Sequence, residues 1–309
     1  MRIVFLGTPE FAVKPLLAIL NCKDIEVIAV VCNKDKPVGR KHILTAPPVK
    51  VVALEHNIPI YQYDKIRIEG VADMKSLSPD LMITCAFGQI LSQEILDIPK
   101  LGVINIHASL LPKYRGASPI NYAILNGESE TGITIMKTEI GIDTGDIILQ
   151  KSLKIEENEN VSELFERLSV LGAEAIAEAL SKFNDGTVIY TPQDETLATT
   201  TKIIKKEDGE ITFLESPTKT VNRIRAFYPN AYTILNGEPF KIYSAKVYAE
   251  ETNERGKDGI VIKSDGELLV GSGGGIVSLT VVQRAGGKPM QISDFLRGNK
   301  LKVGEKLGK

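Results

Sequence analysis

The first 32 residues, MRIVFLGTPEFAVKPLLAILNCKDIEVIAVVC, contain the pattern that decides the fold. Apolar runs rich in β-branched residues occupy Arg2–Leu6 and Glu26–Cys32, and the segment Phe11–Asn21 between them has a helical pattern. Apolar runs with little polar alternation are typical of strands that are buried on both faces of a parallel sheet. This stretch therefore predicts the start of an α/β domain.

The same alternation continues through the first half of the chain. Further segments follow at Ala46–His56, Leu81–Cys85 and Val103–His107, and the last two are strand-like. We therefore predict an α/β fold whose first domain is a Rossmann-like, doubly wound parallel sheet. Beyond this point the pattern predicts a helix, the two arms of a hairpin-like pair and a long amphipathic helix, at Ser118–Asn126, Gly132–Thr138, Asp146–Gln150 and Val161–Phe183.

A second, smaller domain is predicted because 309 residues exceed the length over which a single core usually grows. Residues 190–208 are polar and lack a hydrophobic period, so we place a linker there, between a first domain at 1–189 and a second at 209–309. After a helix at Pro217–Ala226, strand-like runs bounded by Asn-Gly, Asp-Gly and Gly-Gly turns follow at Ala231–Leu235, Phe240–Tyr248, Gly259–Ser264, Glu267–Gly271 and Gly275–Arg284. Five such strands predict a small β-barrel, of the OB type.

The formal net charge of −2 hides an asymmetry between the two ends of the chain. Residues 201–309 carry 18 Lys and Arg against 13 Asp and Glu, whereas residues 1–200 carry 19 against 26. A basic C-terminal part is a weak indication of a polyanionic partner such as nucleic acid. A solvated surface is the alternative interpretation.

Neither the cysteines nor the histidines form a pattern of metal ligands. The three cysteines have no CxxC spacing and lie in or beside apolar runs, and the three histidines are far apart in sequence. We therefore predict no disulfide and no metal. The first apolar run is short and breaks at Gly7-Thr8-Pro9, which fits neither a signal peptide nor a membrane span, so we expect a cytoplasmic location.

Candidate catalytic residues lie at the end of one predicted strand and in one glycine-rich loop. Because side chains alternate along a strand, Asn105 and His107 point to the same side, at the end where open α/β sheets bind ligands. Asp143, within Gly141–Asp146, could orient and charge the imidazole. Two alternatives remain: a buried histidine bonded to a backbone carbonyl, and an aspartate that closes its own turn.

The residue types favour one kind of chemistry. Asn, His and Asp with no placed Ser, Cys or Lys nucleophile suit direct attack by a substrate amine on a carbonyl carbon. The imidazole and the amide would stabilise the oxyanion, and the carboxylate would keep the imidazole charged or relay a proton. This is acyl transfer without a covalent enzyme intermediate.

Three blocks of the sequence resemble the signature of folate-dependent formyltransferases. They are Asn105–Gly116 (NIHASLLPKYRG), Gly132–Thr134 and Gly141–Gly145 (GIDTG), and the resemblance extends over essentially the whole chain. It implies catalytic roles for Asn105, His107 and Asp143 and 10-formyltetrahydrofolate as the formyl donor. It also implies that the folate site is lined by Ser109, Leu110, Leu111 and Pro112 and by the loop Phe87, Gly88, Gln89, Ile90 and Leu91. Ile90 and Leu91 could instead be ordinary core residues at a helix start.

The insertion Asn33–Lys50 is the second informative stretch, because five basic residues face a single acid, Asp35, among glycine and prolines. A mobile basic loop of this kind suits contacts with RNA phosphates, and a solvated surface loop is the alternative. By resemblance it corresponds to a loop that enters the acceptor stem of tRNA, with Arg40 at the matching basic position. We therefore predict tRNA contacts by Lys36, Arg40 and Lys41, and the resemblance implies methionyl initiator tRNA as the formyl acceptor.

Other classes of function fit the sequence less well. A nucleotide-binding oxidoreductase is disfavoured because Gly7-Thr8-Pro9-Glu10 lacks the later glycines of GxGxxG and places an acid where a pyrophosphate would lie. A nucleotide-amino-sugar formyltransferase would share the predicted site but would not need the basic insertion. A non-catalytic RNA- or folate-binding module is the third alternative. We expect a monomer.

Overall fold

The computed structural model describes residues 1–39, 41–252, 256–299 and 301–308, which form two compact units. The first unit consists of Met1–Pro119, Glu130–Lys154 and Phe165–Thr201, and the second of Ile120–Ser129, Ile155–Leu164 and Lys202–Lys309. Within the described part of the chain, no helix is both long and apolar enough to span a membrane.

The strands up to residue 201 belong to the first unit. They are β1 (Arg2–Gly7), β2 (Glu26–Cys32), β3 (Lys36–Val38), β4 (Ile43–Thr45), β5 (Ile60–Gln62), β6 (Leu81–Cys85), β7 (Val103–His107), β8 (Arg115–Gly116), β9 (Glu130–Lys137), β10 (Ile147–Lys154) and β11 (Thr200–Thr201). The helices over the same part of the chain are α1 (Val13–Leu20), α2 (Pro48–Glu55), α3 (Ile66–Glu69), α4 (Val71–Leu77), α5 (Gln93–Leu96), α6 (Pro119–Leu125) and α7 (Val161–Asn184).

A seven-stranded sheet in the order β10-β9-β7-β6-β1-β2-β5 forms the centre of the first unit. The five strands from β7 to β5 are parallel, whereas β9 runs antiparallel to β7 and pairs with β10 as the predicted hairpin. The predicted α/β fold with a Rossmann-like parallel sheet is thereby confirmed. β6 is buried along its whole length, as the continuous apolar run at Leu81–Cys85 indicated.

The order of the strands determines where a ligand can bind. From β1 the chain proceeds to β2 and β5 on one side and then returns to β6 on the other. Open α/β sheets bind ligands in the crevice beyond the carboxyl ends of the strands at such a reversal. Gly7 pairs with Cys85, and Cys85 pairs with Ile106, so β1, β6 and β7 end at the same edge. We call this edge the carboxyl edge.

The insertion between β2 and α2 is more ordered than its sequence predicted. β3 and β4 pair as an antiparallel hairpin, where the sequence predicted a mobile loop. The six residues of these strands are all exposed, so no burial pattern marks them, and hydrogen bonds between the strands hold the hairpin instead. Short elements such as β5, α3 and α5 also lack the length that a periodic pattern needs.

The second unit contains an antiparallel sheet. Its elements are α8 (Pro217–Ala226), β12 (Tyr232–Leu235), β13 (Glu238–Ala249), β14 (Val261–Asp265), β15 (Glu267–Ser272), β16 (Gly275–Arg284), β17 (Met290–Gln291) and α9 (Ile292–Gly298). The strand order is β12-β13-β16-β15-β14, with β17 beside β16. The C-terminal tail reaches both edge strands, since the amide of Gly304 donates to Val261 in β14 and that of Gly308 donates to Ile234 in β12. The strands of a second domain were predicted here, and the barrel of the OB type stays a prediction.

The division into units differs from the predicted domain boundaries, since Ile120–Ser129 and Ile155–Leu164, predicted within the first domain, cluster with the second unit. The sequence predicts a linker over 190–208, but residues up to Thr201 cluster with the first unit. The reason is a set of polar contacts that has no hydrophobic period: Ile147 and Thr191 exchange backbone hydrogen bonds, and β11 pairs with β8. The boundaries 1–189, 190–208 and 209–309 stay a prediction.

Candidate active site

Asn105 lies on β7, directly opposite Thr84 of β6. The hydroxyl of Thr84 donates to Oδ1 of Asn105 over 2.8 Å, which fixes the amide with its NH2 group directed away from Thr84. Nδ2 of Asn105 then lies 3.5 Å from Oδ1 of Asp143. The amide therefore presents a weakly engaged donor at the carboxyl edge.

His107 ends β7 and is only 6% exposed. Its Nδ1 lies 3.5 Å from Oδ2 of Asp143, and its Nε2 lies 3.0 Å from the carbonyl oxygen of Tyr114. Both partners are oxygen acceptors, so a doubly protonated ring can donate to each, whereas a neutral ring turns one lone pair toward an oxygen. The backbone carbonyl that the sequence left as an alternative partner is present, and the carboxylate is present as well.

Asp143 is held by contacts outside its own loop. Its Oδ2 accepts a 2.8 Å hydrogen bond from the amide of Gly116, and its own φ of 53° is left-handed. The loop is confined at its far end, because a Cβ at Gly145 would lie 2.0 Å from the carbonyl oxygen of Lys137. The structure therefore brings together Asn105, His107 and Asp143, although 38 residues separate the first and the last.

The loop Phe87–Leu91, which follows β6 and was predicted to line the folate site, is anchored by one side chain. Nε2 of Gln89 donates to Oδ1 of Asn33 and to the carbonyl of Tyr63, and its Oε1 accepts from the amide of Ile66. Asn33 in turn donates to the carbonyl of Phe87. Of the five predicted residues, Phe87 and Leu91 are buried, Gln89 is half-buried, and Gly88 and Ile90 are exposed. Ile90, at 73% exposure, is free to contact an apolar ligand ring.

The second loop predicted to line the folate site, Ser109–Pro112 after β7, is held by Thr134. The hydroxyl of Thr134 donates to the carbonyl of Ser109 and accepts from the amide of Leu111. The Ser109 hydroxyl donates to the carbonyl of Lys113 and is therefore engaged within the protein. Ser109 and Leu111 are buried, whereas Leu110 and Pro112 are half-buried. Their accessible surfaces make Leu110 and Pro112 the better candidates for direct ligand contact.

Several residues that the sequence did not single out support this arrangement. Arg115, only 5% exposed, forms a bidentate pair with Glu195 and also donates from Nε and Nη2 to Oε1 of Gln193. The hydrogen bonds with Glu195 raise the pKa of Arg115, and those with Arg115 lower the pKa of Glu195. Arg115 lies inside the NIHASLLPKYRG block, and that position could have identified it as a site residue. Gln193 and Glu195 lie in the polar stretch that was predicted as a linker, so no feature of the sequence identified them.

The residues predicted to contact RNA lie in the insertion between β2 and α2. Lys36 and Lys41 are exposed, and Arg40 lies outside the described residues. At the base of the insertion, Nζ of Lys50 contacts both oxygens of Asp35 and Oε1 of Gln62. The hydrogen bonds from Lys50, followed by that from Gln62, lower the pKa of Asp35. The base is therefore a fixed charged cluster beneath an exposed hairpin.

The chemistry available at the carboxyl edge is that of an amide, an imidazole and a carboxylate. Cys85, at the end of β6, is fully buried, and burial raises the pKa of its thiol, so it is poorly suited to be a nucleophile. Among the residues that the structure describes, no three His, Cys, Asp or Glu side chains come close enough to hold a metal ion. The geometry suits acyl transfer to a substrate nucleophile.

Comparison with known proteins is consistent with this chemistry. The family model described as Formyl transferase matches residues 1–180, and the one described as Formyl transferase, C-terminal domain matches residues 203–300. A methionyl-tRNA formyltransferase from Geobacter metallireducens is 44% identical over 313 aligned positions, which cover 100% of this chain and 99% of that protein. One from Staphylococcus epidermidis is 44% identical and covers 96% of each chain.

A solved structure shares the fold. The N-formyltransferase from Helicobacter canadensis, crystallised with folinic acid and dTDP-3-aminofucose, superposes with a TM-score of 0.68. The two chains are 23% identical, and the alignment covers 91% of this chain and 98% of that one. Similarity at this level of identity shows the fold alone.

Proposed function

This chain belongs to the formyl transferase family, and we propose that it transfers the formyl group of 10-formyltetrahydrofolate to the amino group of methionine on initiator tRNA. The full-length similarity to methionyl-tRNA formyltransferases at 44% identity supports the acceptor. The observation that carries the chemistry is the convergence of Asn105, His107 and Asp143 at the carboxyl edge.

In the proposed reaction the methionyl amine attacks the formyl carbon and forms a C–N bond. The carbonyl electron pair moves to oxygen, and Asn105 Nδ2 and the His107 imidazolium stabilise the resulting oxyanion. When the tetrahedral intermediate collapses, the bond from carbon to N10 of tetrahydrofolate breaks. The amine loses a proton and N10 gains one, so the overall reaction is balanced without a covalent enzyme intermediate.

The geometry of the site fits these roles. The contacts of Asp143 with Asn105 and His107 are both 3.5 Å long, which is longer than an ordinary hydrogen bond. Catalytic contacts of this length can tighten when a substrate binds. Donors that are only weakly engaged can turn to a substrate oxygen at little cost. The Asp143 carboxylate stabilises the imidazolium, or relays the proton that the amine releases.

The formyl donor is proposed to bind between the loops Phe87–Leu91 and Ser109–Pro112. Both loops begin at the carboxyl edge, since they follow the adjacent strands β6 and β7. In this proposal the backbone of Gly88 and Gln89 pairs with polar edges of the pterin, while Ile90, Leu110 and Pro112 contact its faces. Ser109, Leu111, Phe87 and Leu91 shape the loops from beneath.

The acceptor is proposed to be recognised by the basic insertion, with Lys36, Arg40 and Lys41 near RNA phosphates. Residues 209–309, which carry the excess of basic residues, are proposed as a second tRNA-contacting domain. Because charged initiator tRNA is used in translation, we propose that the enzyme is cytoplasmic. We also propose that it acts as a monomer.

A formyl-transfer assay tests the proposal. Purified protein and 10-formyltetrahydrofolate are offered methionyl initiator tRNA, methionyl elongator tRNA and an amino-sugar nucleotide in parallel reactions. Selective formylation of the initiator is expected. Formylation of the amino-sugar nucleotide instead would move the chain to the other class of formyltransferase, and formylation of none would disprove the proposed activity.

A further inference from the structure

The segment 191–201 forms a strap across the loops that carry the candidate site. Its backbone and hydroxyl groups bind the stretch that follows Pro112: the amide of Thr199 donates to Pro112, and Thr199 in turn accepts from the amides of Tyr114 and Arg115. Thr201 donates from its hydroxyl to the carbonyl of Arg115. The strap thereby holds the backbone whose Tyr114 carbonyl contacts His107.

Gln193 is the only residue among those described in the strap whose side chain bonds the Asp143 loop directly. Its Nε2 donates to the carbonyl of Asp143 over 2.8 Å and to that of Gly145 over 2.7 Å. Its Oε1 accepts two hydrogen bonds from Arg115, at 3.0 and 2.8 Å. Both hydrogens and the oxygen of the Gln193 amide are therefore hydrogen-bonded, and they join the Asp143 loop to the buried guanidinium of Arg115.

Asp143 depends on such contacts because its loop has little packing of its own. The neighbouring Ile140 and Ile142 are 67% and 73% exposed, so apolar burial does not hold the loop. The left-handed φ of 53° at a non-glycine residue also costs free energy and persists only where surrounding contacts enforce it. The amide of Gly116 holds the carboxylate, and Gln193 holds the backbone that bears it.

We propose that Gln193 is a positioning residue for the carboxylate of Asp143, acting through the backbone of residues 143–145. This inference rests on the proposed function, because it assigns Asp143 a role in formyl transfer. Gln193 touches no reacting atom. Its effect is to keep Oδ1 and Oδ2 of Asp143 within reach of Asn105 and His107.

Gln193→Glu is the variant that tests this role, and Glu195→Gln is its matched control. A carboxylate at 193 still accepts from Arg115 but has no hydrogen to donate to the carbonyls of Asp143 and Gly145. Glu195→Gln also changes one acceptor of Arg115, but Glu195 does not contact the Asp143 loop among the interactions described here. Since a misplacement of about 1 Å can cost about 10²-fold, Gln193→Glu is expected to lower kcat by about 10²-fold. Glu195→Gln, on an exposed carboxylate, is expected to change it by only a few-fold.

A split between kinetic constants separates positioning from general stability. For Gln193→Glu, KM for both substrates and Tm should stay close to those of the parent. In the Asp143→Asn background, Gln193→Glu should lower kcat little further, because the group that it positions is already lost. Equal losses of kcat and Tm in Gln193→Glu and Glu195→Gln, or additive losses in the double variant, would overturn the proposal. If Gln193→Glu does not fold, Gln193→Asn shortens the reach while keeping the amide.

A crystal structure of Gln193→Glu gives a readout that does not depend on any assay. Asp143 is expected to leave its 2.8 Å contact with the amide of Gly116. If the carboxylate keeps that contact, the positioning role is wrong even where transfer is slowed. If the contact is lost but the parent does not formylate tRNA, the positioning role stands and the proposed function fails.

Discussion

The carboxyl edge and the basic insertion are organised in opposite ways. At the edge, His107 and Arg115 are buried and their polar atoms face partners from two other loops. In the insertion, both strands of the β3–β4 hairpin are exposed, and the charged contacts of Asp35 with Lys50 lie at its base.

This difference teaches how one chain can combine fixed chemistry with a large acceptor. A reaction that depends on stabilising developing charge needs donors oriented in advance, and burial together with full hydrogen bonding provides that orientation. Recognition of a polyanion depends instead on accessible charge, because counterion release requires contact with phosphates. Substitutions at the edge should therefore change kcat, and substitutions in the insertion should change KM for tRNA.

The largest effect is expected for His107→Ala and Asp143→Asn. Loss of the imidazole, or of the charge beside it, removes both oxyanion stabilisation and proton transfer, so kcat should fall by about 10³-fold or more. Binding of methionyl-tRNA, measured by filter retention, should stay nearly unchanged because RNA recognition is proposed to lie in the insertion. Near-normal turnover in either variant would show that the proposed mechanism is wrong.

Asn105→Ala should rank second, with kcat lowered by about 10²-fold, as for the removal of one oxyanion donor. Thr84→Val leaves Asn105 in place but removes the hydroxyl that holds its Oδ1. Because one hydrogen bond contributes about 1 kcal/mol, this variant should lose about fivefold in kcat. Single-turnover rates measure both losses, and a larger loss in Thr84→Val than in Asn105→Ala would argue against the oxyanion role of the amide.

A smaller effect is expected for Arg40→Ala, and it should appear in KM for tRNA. If Arg40 contacts one phosphate, the plot of log affinity against log salt concentration should become shallower by about 1, while affinity for the folate stays unchanged. Lys75→Ala is a suitable control, since Lys75 is an exposed basic residue outside the insertion and pairs with Glu94. An unchanged salt dependence in Arg40→Ala would leave the insertion as a solvated surface.

The smallest effect is expected for Leu44→Ser on β4. Leu44 is 67% exposed, so its replacement should change the free energy of unfolding by no more than about 0.5 kcal/mol. Urea unfolding followed by circular dichroism measures this change. A loss of several times that size would mean that the hairpin is buried in solution, and the contrast between the insertion and the carboxyl edge would then fail.

The local pattern of apolar residues was sufficient to predict strands of the parallel sheet. β2, β6 and β7 have the bounds that the apolar runs predicted, since a strand buried on both faces needs apolar side chains at successive positions. The same alternation of side chains placed Asn105 and His107 on one side of β7. The β3–β4 hairpin was not predicted, because its exposed strands carry no such signal.

The sequence by itself determined the fold class and the family, because each depends on residue types at short, regular spacings. It also singled out Asn105, His107 and Asp143 as candidates, because each lies in a block of residues that resembles the family's signature. Only the tertiary structure placed the strap at the site: the side chains of Arg115 and Gln193 meet across 78 residues of chain. Hydrogen bonds between irregular loops follow no period, and a single polar side chain suffices for each. Their pairing was therefore decided only when the sheet brought the ends of its strands to one edge.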